Sequence, residues 1–225
     1  MERSECLFSN SFLSCFSSFD HLVPYTDAIS SMASIVDQIL NKNHNNVLWF
    51  LEHDHLYTAG ASAKSSDLIA NPQAPIFTTD RGGKYTYHGP GQLIVYTMLD
   101  LKSLYHNQPD IKKFVSDICK WLITSLKEVG VHCITDEENI GIWCFDENHN
   151  KKKIASIGLK LKKWVTYHGV AINISPDLSK FNFINPCGLS SHSISSLEAL
   201  GHNIDTSKLR SILIKNFLIM FNIND

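Results

Sequence analysis

The chain has 225 residues, 44% of them hydrophobic, which is enough apolar material for one sizeable core. Its formal charge of -2 excludes the broad basic field that nucleic-acid binding needs. No run approaches the ~18 apolar residues of a membrane span, so neither nucleic acid nor membrane is expected as a partner. The first nineteen residues carry Leu7, Phe8, Phe12, Leu13, Phe16 and Phe19, but Ser and Asn interrupt them throughout and Arg3 is the only cation. A secretory signal is not expected there.

Apolar residues then recur at Ile29, Met32, Ile35, Val36, Ile39 and Leu40, which predicts a helix over Asp27–Leu40. Val47–Leu51 reads as a buried strand, and Ala59–Asn71, rich in small and polar residues, as a loop. Ala74–Phe77 and Leu93–Tyr96 are apolar runs flanking a glycine-rich block, so a strand–loop–strand lining a pocket is predicted. Pro109–Val129 is the clearest helix, with Phe114, Ile118, Trp121 and Leu122 on one face and Gly130 to stop it. Short strands are predicted at Val131–Ile134 and Ile140–Phe145. Ile154–Leu161 and Trp164–Ile174 alternate as a β-hairpin turning at Lys162-Lys163. Pro176–Pro186 reads as irregular, and a last helix runs over Thr206–Phe221, capped by Asp205 or Thr206. No repeat or linker divides the chain. The expected class is α+β, a single domain over 1–225.

Chemistry concentrates in Arg81-Gly82-Gly83-Lys84-Tyr85-Thr86-Tyr87-His88-Gly89-Pro90-Gly91-Gln92. Four glycines in twelve positions let backbone approach a partner closely, while cationic and aromatic side chains add recognition. The block matches no nucleotide-phosphate fingerprint. The six cysteines form no C-x-x-C pair and no Cys/His cluster of zinc type, and scattered thiols fit a reducing cytoplasm. Cys187 differs from the rest because Pro186 and Gly188 place it on a constrained corner. A thiol there is either a space-filler or a nucleophile, and a nucleophile needs a nearby cation to hold the thiolate.

Lys153 is the candidate cation, being in phase with Ala155, Ile157, Leu159 and Leu161 on the apolar side of its strand. The alternative is a strand-end lysine that snorkels to solvent. His168 shares a phase with Val170, Ile172 and Ile174 and reads more readily as a core histidine. His53-Asp54-His55 lacks a third ligand, so no metal site is expected. Lys151-Lys152-Lys153 with Lys160, Lys162 and Lys163 read either as solvated strand ends or as a patch for an acidic partner.

Together, Arg81–Gln92, Lys153-Ile154-Ala155-Ser156-Ile157-Gly158, Tyr167-His168-Gly169-Val170-Ala171-Ile172-Asn173 and Asn185-Pro186-Cys187-Gly188 closely resemble the lipoyl(octanoyl) transferases, in the family's order. The resemblance extends more loosely over about Leu51–Leu200, is weak over residues 1–25, and leaves the first forty-odd residues and the last twenty with little family signal. It implies the fold of the biotin/lipoate protein ligase catalytic domain, a mixed, largely antiparallel sheet flanked by helices. The implied reaction moves an octanoyl group from acyl carrier protein to a lysine of a lipoyl domain, without cofactor or metal. The implied acceptors are the E2 subunits of 2-oxo acid dehydrogenases and the glycine cleavage H protein. By position Cys187 matches the acyl-thioester nucleophile and Lys153 the lysine that lowers its pKa. The implied substrate pocket is Arg81, Gly82, Gly83, Lys84, Tyr85, Thr86, Tyr87 and His88, with Ser156, Ile157 and Gly158, and Gly169, Val170 and Ala171. Lys84, where the family often has Gln, and Leu189, where several members have an aromatic, depart from the pattern. Two rivals stay open: an ATP-dependent lipoate or biotin ligase, which would not need Cys187, and an acyl or lipoyl-domain binding protein with an inactive site.

Overall fold

The computed structural model describes residues 4–186 and 193–224. Cys187, Gly188 and Leu189 lie outside the described residues.

Among the described residues, eleven strands and four α-helices follow in chain order. They are β1 (Glu5–Ser9), β2 (Leu13–Ser18), α1 (Tyr25–Leu40), β3 (Asn46–Leu51), β4 (Leu56–Ala59), β5 (Ile76–Thr78), β6 (Tyr85–His88) and β7 (Gln92–Met98), then α2 (Leu101–Leu104), α3 (Ile111–Glu128), β8 (Ile134–Thr135), β9 (Ile142–Phe145), β10 (Lys151–Lys162), β11 (Val165–Asn173) and α4 (Thr206–Met220). Eight strands form one sheet in the order β1-β2-β3-β7-β11-β10-β9-β8, and β5-β4-β6 form a second. In the large sheet β2 and β3 run parallel and the other pairs antiparallel.

Period-two alternation explains the layering. In β3, Val47, Trp49 and Leu51 pack against Ala28, Met32, Ile35 and Val36 of α1. Leu48 and Phe50 of the same strand face α3 and α4, joining Phe114, Ile118, Trp121, Leu213 and Phe217. A strand buried on both faces reads as a continuous apolar run, as β3 does from Val47 to Leu51. α3 and α4 lock together through Trp121, whose Nε1 donates to the Leu213 carbonyl at 2.7 Å while its ring meets Phe217 edge-on.

Several sequence expectations change. Ala74–Phe77 and Leu93–Tyr96 do not flank one hairpin: the first supplies β5 of the small sheet and the second β7 of the large one. The glycine-rich block therefore passes from one sheet to the other, and its middle, Tyr85–His88, is itself strand β6. The Ser- and Phe-rich start forms β1 and β2 at the sheet edge. Val131–Ile134 is strand only at Ile134–Thr135, and the β10–β11 turn sits at Lys163-Trp164, both at positive φ (50° and 74°), one residue later than predicted.

Candidate active site

A narrow cleft of about 50 Å³ opens where the two sheets meet, lined by Arg81, Gly82, Gly83, Thr86 and His88, by Ser156, Ile157 and Gly158 of β10, and by Gly169, Val170 and Ala171 of β11. Tyr25, Ile94, Tyr96 and His168 complete the wall. Gly82, Gly83 and Ile157 also border an open groove of about 560 Å³ with Lys84, Lys153, Ile111, Val115, Ile140, Leu159 and Leu161, a size typical of small-molecule sites.

Topology brings these residues together. β10 pairs with β11 with Ser156 opposite Ala171, Ile157 opposite Val170 and Gly158 opposite Gly169. The glycine block lies across this pair, since the Gly82 N–H donates to the Leu159 carbonyl at 3.0 Å. Gly60 makes the crossing possible: a methyl there would collide with the Gly83 carbonyl and the Arg81 guanidinium.

Arg81 organises the block from within. Its Nε donates to Thr58 Oγ1 (3.0 Å), Nη2 to the Thr58 and Lys84 carbonyls (2.7 and 2.8 Å) and Nη1 to the Gly82 carbonyl (2.9 Å). Thr86 and His88 of β6 face the cleft, whereas the alternating Tyr85 and Tyr87 turn toward Tyr57, Phe181 and Ile184. The Tyr87 hydroxyl is 2.6 Å from His55 Nδ1. Lys84 borders the groove and pairs with buried Asp67 at 3.1 Å. The pairing and the Lys64 backbone N–H hold the Asp67 carboxyl below the usual carboxylate range, the backbone bond contributing more.

Lys153 is 2% exposed. Its ammonium lies 5.7 Å from the centre of the Trp143 ring, and no salt bridge among the described residues includes it. A buried cation without a carboxylate is costly, so the position calls for an anionic partner. The chain before residue 187 is tied to Asp67 and Leu68, and the chain after residue 192 to Lys153. The Asn185 N–H donates to the Asp67 carbonyl at 2.7 Å and Ile184 bridges Leu68, while Ile194 bridges Lys153 and the Ser195 N–H donates to the Lys153 carbonyl at 3.0 Å.

His168 lies on the other face from the one its phase predicts. Its φ of 60° turns the ring away from Val170 and Ile172, to stack on Tyr167 and meet Tyr96 edge-on, with Asp80 at 3.3 Å. Burial lowers its pKa, with Asp80 opposing. His53 and His55 diverge: His53 is held by the Val23 carbonyl (2.6 Å) and the Tyr96 hydroxyl (2.7 Å). No group of three or more metal-ligating side chains occurs among the described residues. Of the basic patch, Lys151, Lys152 and Lys162 are paired with Asp136, Asp146 and Asp37. Sequence reasoning missed Tyr25 and Thr58 and took Ile94 and Tyr96 only as part of the run Leu93–Tyr96; the alternation of β7, with Ile94 and Tyr96 on one face, is the signal that singles them out.

Residues 24–218 match the lipoyl protein ligase A/B catalytic domain. An octanoyltransferase of Anaplasma phagocytophilum is 45% identical over 200 residues, covering 89% of this chain and 95% of that protein. One of Wolbachia pipientis is 45% identical over 204 residues, covering 90% and 97%. A bi-partite lipoate protein ligase from Thermoplasma acidophilum shares the fold at 15% identity, with a TM-score of 0.68 over 95% of this chain and 84% of that one. The chain belongs to the lipoyl protein ligase A/B catalytic-domain family, on the branch of the octanoyltransferases.

Proposed function

We propose that this chain is an acyltransferase that moves an octanoyl group from octanoyl-acyl carrier protein to a lysine of lipoyl domains, through a thioester on Cys187. The relatives' activity supports octanoyl transfer in lipoylation. The observation that carries the mechanism is Lys153, a buried ammonium without a carboxylate partner among the described residues, at the head of an apolar groove. Such a cation stabilises a thiolate against the thiol.

The reaction proceeds in two balanced steps. The Cys187 thiolate attacks the donor's thioester carbonyl, forming the acyl-enzyme and releasing the carrier's thiolate, which takes up a proton. The acceptor lysine's neutral amine then attacks the acyl-enzyme, the amide forms, and the Cys187 thiolate leaves. Lys153 gives its proton to the departing carrier thiolate in the first step and, then neutral, takes one from the attacking amine in the second, which restores the ammonium beside the thiolate. One thioester replaces another, so ATP is not required. The octanoyl tail lies along Ile111, Val115, Ile157, Leu159 and Leu161, where each buried methylene contributes about 0.8 kcal/mol. The acceptors are the E2 subunits of 2-oxo acid dehydrogenases and the glycine cleavage H protein, and the enzyme works in the cytoplasm as one unit. No helix among the described residues is long and apolar enough to cross a membrane.

Intact mass spectrometry after incubation with octanoyl-acyl carrier protein tests the reading. One octanoyl group should appear on the wild type, map to Cys187, and be absent from Cys187→Ala. An unmodified wild type that still octanoylates a lipoyl domain would remove the acyl-enzyme, and ATP-dependent activity surviving in Cys187→Ser would favour a ligase.

A further inference from the structure

A chain of hydrogen bonds runs beneath the cleft from Arg81 to Lys153, through side chains that are all buried. Arg81 Nε and Nη2 donate to Thr58 Oγ1 at 3.0 and 2.7 Å. Thr58 Oγ1 stands 3.5 Å from His88 Nε2, and His88 Nδ1 stands 2.7 Å from Gln92 Oε1. Gln92 Nε2 donates to Asn173 Oδ1 at 2.8 Å, and Asn173 Nδ2 to the Ser195 carbonyl at 2.9 Å. The Ser195 N–H completes the path to the Lys153 carbonyl.

The direction of every proton follows from the backbone end. A carbonyl only accepts, so Asn173 must present its nitrogen to Ser195 and its oxygen to Gln92. Gln92 must then present its nitrogen to Asn173, an orientation the Tyr87 carbonyl requires independently, at 3.3 Å from the same Nε2. Its oxygen therefore faces His88, and Nδ1 carries the imidazole proton. At the other nitrogen a second proton has no acceptor: both lone pairs of the Thr58 hydroxyl are taken by Arg81, so that hydroxyl donates to Nε2 instead. All donors point the same way, so each bond polarises the next. Burial acts in the same sense, holding the His88 pKa down to about 3, with His53 adding to the effect.

We propose that Gln92 and Asn173 are positioning residues, which hold His88 as the neutral Nδ1-protonated imidazole with its Nε2 lone pair turned toward Thr58 and the cleft, and tie the main chain at Lys153 and Ser195 to the glycine-rich block. The tautomer is independent of the reaction; the effect on transfer rests on the acyl-enzyme reading above. In this role Asn173 keeps Lys153 in register with the chain that carries Cys187.

Long-range proton–nitrogen correlation spectra of the ¹⁵N-labelled full chain, with His88 assigned by the signal lost in His88→Gln, read the tautomer directly. His88 should show a protonated Nδ1 and a bare Nε2, unchanged from pH 8 to pH 5. An Nε2-protonated ring, or titration of His88 in that range, overturns the proposal. Asn173→Asp cannot donate to the Ser195 carbonyl. With folding verified by circular dichroism, its kcat should fall by more than about tenfold with KM little changed, and the Cys187 alkylation profile should move to higher pH. If wild type takes up octanoyl on Cys187 and Asn173→Asp does so equally fast with the same alkylation profile, the positioning role is wrong. If wild type never takes up octanoyl on Cys187, the acyl-enzyme reading fails while the tautomer remains decided by the spectra.

Discussion

Gly141 shows how tightly the position of Lys153 is specified. At its φ of 152° an L side chain is strained, and a Cβ there would collide with Lys153 Cε and sit 3.1 Å from Nζ and 2.6 Å from the Ala155 carbonyl. Gly141→Ala should therefore push the ammonium aside. The expected result is a rise in the Cys187 pKa toward that of an ordinary thiol and a loss of transfer approaching that of Lys153→Ala. Iodoacetamide rate against pH measures the first and octanoyl transfer the second; an unchanged alkylation profile in both variants would leave Cys187 without its activator. At this scale the sequence was legible wherever side-chain phase follows the strand. Lys153 lies with Ile157, Leu159 and Leu161 along the groove, as alternation predicts, although the β9–β10 register shifts between Lys153 and Ala155. His168 was not legible, because a single left-handed φ reverses the face its ring occupies. Lys84, the departure from the family pattern, acquires its meaning from Asp67, seventeen residues away.

At the scale of elements, helices were the most legible because their signals are local. Asp205 caps α4 as the sequence suggests, and Asp110 does the same for α3, each accepting two backbone N–H bonds from the first turn. The small sheet was hidden because β4, β5 and β6 are three or four residues long and owe their pairing to contacts distant in sequence. β1 and β2 were hidden because neither alternates cleanly: β1 is a largely exposed edge strand, and β2 buries Ser14, Ser17 and Ser18 alongside Leu13 and Cys15. What periodicity does not reveal is that α3 serves two surfaces. Phe114, Ile118, Trp121 and Leu122 enter the core, while Ile111 and Val115 face Ile157, Leu159 and Leu161 of β10 across the groove. If the acyl tail lies there, Val115→Phe shortens the slot while leaving the core face intact. The preferred donor should shift from octanoyl toward hexanoyl, with a penalty of about fourfold in kcat/KM for each methylene that no longer fits. Comparing hexanoyl, octanoyl and decanoyl donors measures this; an unaltered preference would place the tail elsewhere.

Over the whole molecule, the imidazoles in and beside the cleft sit where burial disfavours their charged form. Burial lowers the pKa of His53 to about 4 and that of His88 to about 3, and lowers that of His168 as well. In the unfolded chain each returns to about 6.5. Between those values the unfolded state binds protons that the native state refuses, so stability must fall as pH drops below 6.5, by up to about 1.4 kcal/mol per pH unit for each ring. Above pH 6.5 both states are neutral at these rings and the dependence vanishes. By pH 4, His53 alone accounts for about 3 kcal/mol, a large share of the ~5–15 kcal/mol that holds a domain together. Charge repulsion does not produce the same onset, because the formal charge is only -2 and the carboxylates with lowered pKa, Asp67 and Asp80 among them, lose their stabilising contribution only at lower pH. Urea midpoints should hold level from pH 8 to 7 and decline steadily from about pH 6.5 to 4.5. His53→Gln should show a shallower decline, since its share of the proton uptake is gone. A wild-type midpoint that stays flat down to pH 5 would mean that the buried rings take up protons within the folded protein, and that the cleft is wetter than its lining implies.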